Sequence, residues 1–207
     1  HEHSDHIQGL GVISSRFDLP IYGSRGTIGA LLEKGLLRAG QNVHILEEPE
    51  EVAGFYVTPF RTPHDSAESI GFHVDAENGR SIGICTDLGY PSDDVMRGLL
   101  GCDFVMLESN YDRKMLLNGR YPPYLKQRIR SRCGHLSNDQ CAQTIEQLVY
   151  NGATQFVLAH LSEENNRPEI ALGHSREYLA GRTMLDGRDY QIDVLPRFTQ
   201  GRRFEIG

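Results

Sequence analysis

A chain of 207 residues is long enough for one domain with a substantial hydrophobic core, so we expect a single domain over 1–207. Its hydrophobic content of 39% and charged content of 24% are typical of a globular protein, and no apolar run could cross a bilayer. The net charge of −7 argues against a protein that coats nucleic acid through its overall field, although a local basic groove is not excluded. The four cysteines form no C-x-x-C pair, which predicts reduced thiols and a cytoplasmic location.

The first half of the chain has the pattern of helices alternating with short strands. We predict a helix over 7–17, a strand over 19–22, a helix from the N-cap Ser24 to about Leu37 that Gly40 closes, and a strand over 43–46. An acidic turn over 47–51 precedes three strands over 52–60, 68–74 and 81–86, of which the last two form a hairpin through the turn 77–79.

In the second half, helical and strand patterns alternate more regularly. The predicted elements are helices over 95–100, 124–132, 139–150 and 167–179, and strands over 104–107, 156–159 and 192–195. Hairpins that precede a strand–helix alternation indicate an α/β (α+β) fold with helices packed on mixed sheets.

The first six residues carry the strongest chemical signal. They read His1-x-His3-x-Asp5-His6, and unpaired histidines and aspartates are costly to bury, so core packing does not explain them. On an extended segment that turns, His1 and His3 project to one side while Asp5 and His6 reach a second point close by. This arrangement suits two adjacent divalent cations. The alternative is an exposed tag remnant, which the interleaved aspartate and the following helix disfavour.

Three further candidate ligands each follow a predicted strand. They are His64 in T-P-H-D-S, Asp87 in C-T-D-L-G and His160 in L-A-H-L-S. A single histidine or aspartate at a strand end is more often structural, so these positions gain weight only in combination with the opening motif.

In that combination and order, the motifs resemble those of the metallo-β-lactamase-fold hydrolases. The resemblance implies an αββα sandwich of two mixed sheets flanked by helices, here lacking the first N-terminal strands of the family. It also implies one metal site at His1, His3 and His64, a second at Asp5, His6 and His160, and a bridging Asp87. A hydroxide held between the two ions would be the nucleophile, oriented by Asp5. Histidine and carboxylate ligands suit Zn²⁺, Mn²⁺ and iron alike.

Three segments narrow the resemblance to one branch. L-E-S-N-Y-D at 107–112, G-H-L-S-N at 134–138 and H-L-S-E-E-N-N at 160–166 are similar to the YycJ-type (WalJ-type) proteins, which are regarded as DNA exonucleases. In the tRNA-processing members of the superfamily, a histidine comparable to His135 works with an acidic residue, which Glu108 would be here. His135 could then donate a proton to the leaving group or bind phosphate. The alternative is that both residues only support the ligands or cap a helix.

A basic run lies between two of these segments. From 113 to 132 the chain holds seven basic residues and no acidic one: Arg113, Lys114, Arg120, Lys126, Arg128, Arg130 and Arg132. Such a run can neutralise backbone phosphates, and the interleaved Tyr121 and Tyr124 can stack on a base. Our candidate substrate contacts are the seven basic residues except Arg120, together with Asn110 and Ser137. The alternative is a solvated basic helix face.

The sequence therefore predicts a dinuclear metal-dependent phosphodiesterase, foremost a DNA exonuclease, with Asp5, Glu108 and His135 as candidate catalytic residues. We expect nucleic acid as the partner and no membrane, and the oligomeric state is left open, a homodimer included. Two alternatives stand beside this prediction. One is a small-molecule hydrolase, such as a cyclic-phosphate diesterase or thioesterase, and the other is a metal-stabilised nucleic-acid-binding or regulatory protein without turnover.

Overall fold

The computed structural model describes residues 1–38, 40–197 and 199–206. The helices within these residues are α1 Ser4–Ile7, α2 Leu10–Phe17, α3 Arg25–Glu33, α4 Asp93–Leu99, α5 Arg113–Asn118, α6 Pro123–Ile129, α7 Asn138–Tyr150 and α8 Pro168–Ala180. The strands within the same residues are β1 Ile21–Gly23, β2 Val43–Ile45, β3 Glu50–Val52, β4 Phe55–Arg61, β5 Ile70–Ala76, β6 Ser81–Cys85, β7 Phe104–Glu108, β8 Gln155–Ala159 and β9 Gln191–Val194. No helix in this described part combines the length and apolarity needed to cross a bilayer.

The described strands form a seven-stranded mixed sheet and a two-stranded sheet. In the large sheet the order follows the chain from β3 to β9, with antiparallel pairs up to β6 and parallel pairs from β6 onward. Because β4 and β6 are both antiparallel to β5, the strands β4, β6, β7 and β8 all point the same way. Their carboxyl ends therefore meet at one edge of the sheet, where the candidate site lies.

The main hydrophobic core lies between one face of the large sheet and helices α4, α7 and α8. Leu107 of β7 and Leu158 of β8 are fully buried and belong to the same cluster as Ile145 and Leu148 of α7. Burial of a leucine or isoleucine of this size stabilises the fold by about 1.5–3 kcal/mol. This packing holds β7 and β8 rigidly, and with them the residues at their ends.

The small sheet packs against α3 in a second cluster, which includes Ile28 and Leu31. The two sheets with their flanking helices confirm the predicted fold class. The prediction that both sheets are mixed is wrong for the smaller one, because its two strands are parallel. The predicted N-cap is also confirmed, because the Ser24 side chain accepts a hydrogen bond from the Thr27 N–H. The predicted end is wrong: α3 stops at Glu33, and Gly35 at φ 65° closes it instead of Gly40.

Other differences from the predicted elements have local causes. The predicted strand over 52–60 is two strands, because Ala53 and Gly54 at φ 53° and 84° form a tight turn that makes β3 and β4 a hairpin. The acidic stretch before it is therefore only partly a turn. The predicted helix over 7–17 is interrupted at Gly9, and α5, which Asp112 caps, was not predicted.

Candidate metal centre

The candidate ligands meet at the edge of the large sheet where β4, β6 and β8 end. The opening segment lies against this edge and contributes the first motif, while His64, Asp87 and His160 follow β4, β6 and β8 in the chain. Asp87 and His160 both have left-handed backbone conformations, at φ 58° and 55°. Side chains from four separate segments thus converge in one place.

One cluster consists of three histidines. Ligand atoms of His1, His3 and His64 lie within 4.8 Å of one another. His3 Nδ1 lies 3.3 Å from His64 Nε2, and the ring centroids of His1 and His64 are 4.8 Å apart. Three imidazole nitrogens at this spacing can hold a divalent cation such as zinc.

A second cluster combines a carboxylate with two histidines. Ligand atoms of Asp5, His6 and His160 also lie within 4.8 Å of one another, and Asp5 Oδ2 is 3.5 Å from His160 Nε2. The Asp5 side chain is 62% exposed, so its carboxylate faces the open side of the site.

Asp87 lies between the two clusters and is only 2% exposed. Its Oδ1 is 3.6 Å from His64 Nε2 and 3.5 Å from His160 Nε2, while its Oδ2 is 3.0 Å from His6 Nε2. Burial by itself raises the pKa of Asp87, but His6 and His160 lower it and hold it well below its usual range. The carboxylate is therefore ionised and can reach a cation in either cluster.

The outward-facing nitrogens of two histidines are defined by hydrogen bonds on the opposite side of each ring. His64 Nδ1 is 3.0 Å from the Gly134 carbonyl oxygen and His160 Nδ1 is 2.9 Å from Glu108 Oε2, so each Nδ1–H donates and each Nε2 faces Asp87. Burial lowers the pKa of His64. Burial acts in the same direction on His160, but the hydrogen bond and charge of Glu108 raise its pKa to about 9. A bound cation would displace the proton on His160 Nε2, while Nδ1–H would stay bonded to Glu108.

Glu108, the last residue of β7, is fully buried behind these ligands. It accepts hydrogen bonds from the backbone N–H groups of Asp87 at 2.8 Å and Leu136 at 2.6 Å, in addition to the bond from His160. Its Oε2 also lies 3.2 Å from His135 Nδ1. Although burial raises the pKa of Glu108, the two histidines lower it below its usual value. Glu108 therefore connects the candidate ligand His160 with two loops through hydrogen bonds and does not face a substrate.

His135 stands beside the candidate ligands, on the open side of the centre. Its Nδ1 is engaged by Glu108 and lies 3.7 Å from Asp87 Oδ1. Burial lowers the pKa of His135, but the charge and hydrogen bond of Glu108 raise it above its usual value. The structure thus brings together all nine residues that the sequence indicated for the metal centre and its chemistry: His1, His3, Asp5, His6, His64, Asp87, Glu108, His135 and His160.

A groove of about 1250 Å³ opens above this centre. One wall is a face of α6 and the loop before it, with Tyr121, Leu125, Arg128 and Ile129. The rest of the lining includes the segments 161–164, 166–169 and 195–197 together with Thr199.

Of the predicted substrate contacts, only Arg128 and Asn110 line this groove within the described residues. Arg128 forms a bidentate ion pair with Asp65, with N–O distances of 2.5 and 3.1 Å. Asn110 is mostly buried, and its Nδ2 donates to the His160 carbonyl oxygen at 2.8 Å.

The other predicted contacts lie outside the groove, several of them with structural partners. Ser137 is fully buried as the N-cap of α7, and Lys126 Nζ donates to the Leu117 and Gly119 carbonyl oxygens at 2.8 and 2.7 Å. Arg113 pairs with Asp139 at 2.9 Å, and Arg132 stacks 4.0 Å from the ring centroid of Tyr90. Lys114 and Arg130 also lie away from the groove lining that the structure describes. The density of basic residues in the sequence did not reveal these partners.

Sequence reasoning also missed two arginines that do line the groove, Arg167 and Arg197. Both stand alone in the sequence, and Arg167 has acidic residues nearby, so no charge run marks them. The only sequence signal is that Arg167 directly follows the H-L-S-E-E-N-N segment, seven positions after His160.

Residues 1–161 match the family model described as the beta-lactamase superfamily domain, and the chain belongs to that superfamily. Within it, the chain is 36% identical over 173 residues to the exodeoxyribonuclease YycJ of Bacillus anthracis, which covers 83% of this chain and 65% of the relative. It is 32% identical over 197 residues to the exodeoxyribonuclease WalJ of Streptococcus pneumoniae, which covers 93% of this chain and 72% of the relative. The resemblance to this branch is thus confirmed, over about two thirds of each relative's length.

Solved structures agree on the fold. The metallo-β-lactamase fold protein YhfI from Bacillus subtilis superposes with a TM-score of 0.67 at 16% identity, covering 94% of this chain and 71% of that one. Zn²⁺-bound PqqB from Methylobacterium extorquens also has a TM-score of 0.67 at 16% identity, covering 100% and 71%. At such low identity these similarities bear on the fold alone, and they confirm the predicted fold family.

Proposed function

We propose that this chain is a metal-dependent phosphodiesterase that removes nucleotides from an end of DNA. The observation that carries the proposal is the placement of Asp87, a buried ionised carboxylate that faces both histidine-containing clusters on the floor of an open groove. The names of the two relatives, both exodeoxyribonucleases, support DNA as the substrate.

The donor set fits two divalent cations. Within the described residues, His1 Nε2 and Asp87 Oδ2 are buried without a hydrogen-bond partner, although His6 Nε2 lies 3.0 Å from the latter. Unpaired buried polar atoms are costly, and coordination would satisfy both. When bound, two such ions supply an activated water and neutralise charge on the phosphate. We propose Zn²⁺ or Mn²⁺, with iron as a further candidate, because nitrogen and carboxylate ligands suit all three.

Three residues of the chain would divide the remaining work. The exposed carboxylate of Asp5 can accept a hydrogen bond from the attacking water and orient it. His135 is engaged by Glu108 through Nδ1, so its Nε2–H is left to donate a proton to the departing oxygen. Glu108 positions His135 and His160 from behind.

The strand would lie in the groove above this centre. We propose that Arg128 and Asn110 contact the substrate there and that Tyr121 stacks against a base. Lys114 and Arg130 lie outside the groove, so a strand would reach them only if it continued beyond the site. The four cysteines are all free, which supports a cytoplasmic location as a further part of the proposal.

A second candidate function is a small-molecule hydrolase, acting on a cyclic phosphate or a thioester. The observation that favours it is the charge of the groove, because Glu163, Glu164 and Glu169 line the same groove as the arginines. A groove of mixed charge tracks a long phosphate backbone less well than a basic one.

The test compares the chain with its Asp87→Ala variant on end-labelled DNA, with manganese or zinc supplied, and measures bound metal in both. Asp94→Ala, which removes an exposed carboxylate on α4, is the matched control. We expect shortening of the labelled strand that requires both metal and Asp87 and that survives in the control. Bound metal without digestion of DNA would contradict the nuclease and favour the small-molecule hydrolase. DNA binding that survives loss of Asp87, without hydrolysis in either form, would favour a binding protein.

A further inference from the structure

Two of the three arginines that line the groove are paired with a carboxylate. Apart from the candidate metal ligands, the charged residues in its lining are three arginines and four carboxylates: Arg128, Arg167, Arg197, Asp65, Glu163, Glu164 and Glu169. Arg128 is held by Asp65, and Arg197 NH1 lies 3.2 Å from Glu163 Oε2. Arg167 differs from both, since its side chain makes no ion pair or hydrogen bond with the described residues.

The backbone that carries Arg167 is held firmly. Its N–H donates to the side chain of Asn166 at 2.9 Å, and Asn166 is 3% exposed. Asn166 Nδ2 donates in turn to the Ser109 carbonyl oxygen and to Asn138 Oδ1, each at 2.8 Å. These bonds connect the end of β7, the start of α7 and the start of α8. Arg167 therefore lines the groove from a fixed backbone position, so a ligand that binds its guanidinium has to order the side chain alone.

We propose that Arg167 binds the phosphate adjacent to the scissile one and is the main phosphate anchor of this groove. The inference rests on the proposed function and specifies its substrate class, the last few nucleotides of a strand held through one anchored phosphate. A guanidinium presents paired donors that match phosphate oxygens. The neighbouring Glu163, Glu164 and Glu169 would repel further phosphates, so a long tract is not followed along this part of the groove.

The number of phosphates that the protein neutralises can be measured from the effect of salt. Each one contributes a slope of about −0.7 on single strands, or about −0.9 on duplex, to the logarithm of affinity against the logarithm of salt concentration. Removal of Arg167 should therefore make the slope shallower by about 0.7–0.9. If the whole basic run over 113–132 bound the strand instead, the salt slope would be much steeper. Removal of Arg167 would then change that slope by only a small fraction.

The experiment measures kcat and KM on end-labelled DNA between about 50 and 200 mM salt. The variants are Arg167→Gln, Arg167→Lys and the matched control Arg176→Gln, which lies on α8 outside the groove and pairs with Asp186 at 2.7 Å. Arg167→Gln should raise KM about tenfold, the loss of one charge-assisted contact, with kcat largely retained and the salt slope reduced as above. Arg167→Lys should restore most of the slope, and Arg176→Gln should match the unmodified chain.

Bis(p-nitrophenyl) phosphate provides the second readout, because this small diester has no adjacent phosphate. Its turnover should be the same in Arg167→Gln and in the unmodified chain. An unchanged KM and salt slope for DNA in Arg167→Gln, or an equal loss in Arg176→Gln, would overturn the assignment of Arg167 and leave the proposed function standing. Failure of the unmodified, metal-loaded chain to hydrolyse either substrate would overturn the proposed function itself.

Discussion

Glu108 is the residue whose substitution tests the architecture of the centre most directly. Its carboxylate receives four donors, two from backbone N–H groups and two from the imidazoles of His135 and His160. Glu108→Gln keeps the size and shape of the side chain but replaces one acceptor oxygen with an amide NH₂. If the amide oxygen takes the place of Oε2, which serves three donors, the NH₂ faces the Leu136 N–H. In the flipped orientation three donors lose their acceptor.

The less damaging orientation sets the expected magnitude. One buried donor without a partner costs about 1–3 kcal/mol, so the unfolding free energy of the metal-free chain should fall by that amount. Loss of a carboxylate that hydrogen-bonds to a metal-ligating histidine typically lowers metal affinity by about 10–100-fold. Both effects should appear together in Glu108→Gln, because the same oxygen atoms support the loops and the ligand.

Two assays separate these effects: urea unfolding in the presence of a chelator, and zinc affinity measured by competition with a chromophoric chelator. Thr144→Val is the control, since Thr144 is buried on α7 and its hydroxyl donates to the Gln140 carbonyl oxygen at 2.8 Å, away from the ligands. The control should lose stability but retain zinc affinity. Zinc affinity in Glu108→Gln equal to that of the unmodified chain would refute the role assigned to Glu108.

Three further predictions follow from other contacts. Arg128→Ala combined with Arg130→Ala should weaken DNA binding in a gel-shift assay by less than Arg167→Gln does, because Arg128 is already neutralised by Asp65; unchanged affinity would remove Arg128 and Arg130 from the substrate contacts. Ser137→Ala should lower the unfolding free energy by about 1 kcal/mol through loss of the α7 cap and leave DNA affinity unchanged, and a loss of affinity would contradict its structural assignment. Chelation should lower the Tm, because zinc at about 100 times its Kd stabilises the folded state by about 2.7 kcal/mol, whereas an equal Tm with and without chelator would argue against a metal site.

The three later candidate ligands were predictable because each lies next to a strand that can be recognised in the sequence. His64, Asp87 and His160 each follow a strand whose apolar run is visible in the sequence, and strands that point the same way present their ends at one edge. The role of Glu108 as a shared acceptor was less visible. Its carboxylate accepts hydrogen bonds from backbone N–H groups of two other loops. A sequence does not show which N–H groups will face inward.

The substrate contacts were harder to predict, because the destination of a long basic side chain depends on the tertiary structure. Lys126 and Arg113 belong to the same charge run as Arg128, yet one binds the carbonyl groups at the end of α5 and the other pairs with Asp139. Arg167 has no basic neighbours to mark it and reaches the groove because buried asparagines fix the chain before α8.

The left-handed backbone at Asp87 and His160 has a consequence for how such a protein can change over evolutionary time. A side chain in this conformation costs on the order of 1–2 kcal/mol, less for aspartate and histidine than for most residues, and glycine avoids that cost. Replacement of either residue by glycine would relax the backbone while it removes a metal ligand. Such a replacement recovers the strain energy but forfeits the contacts of the side chain and the stabilisation by bound metal, so it favours folding only where the backbone strain exceeds those contributions. Where it does, return to the ligand would require the strain to be accepted again before any activity was regained, so decay of this centre would be difficult to reverse.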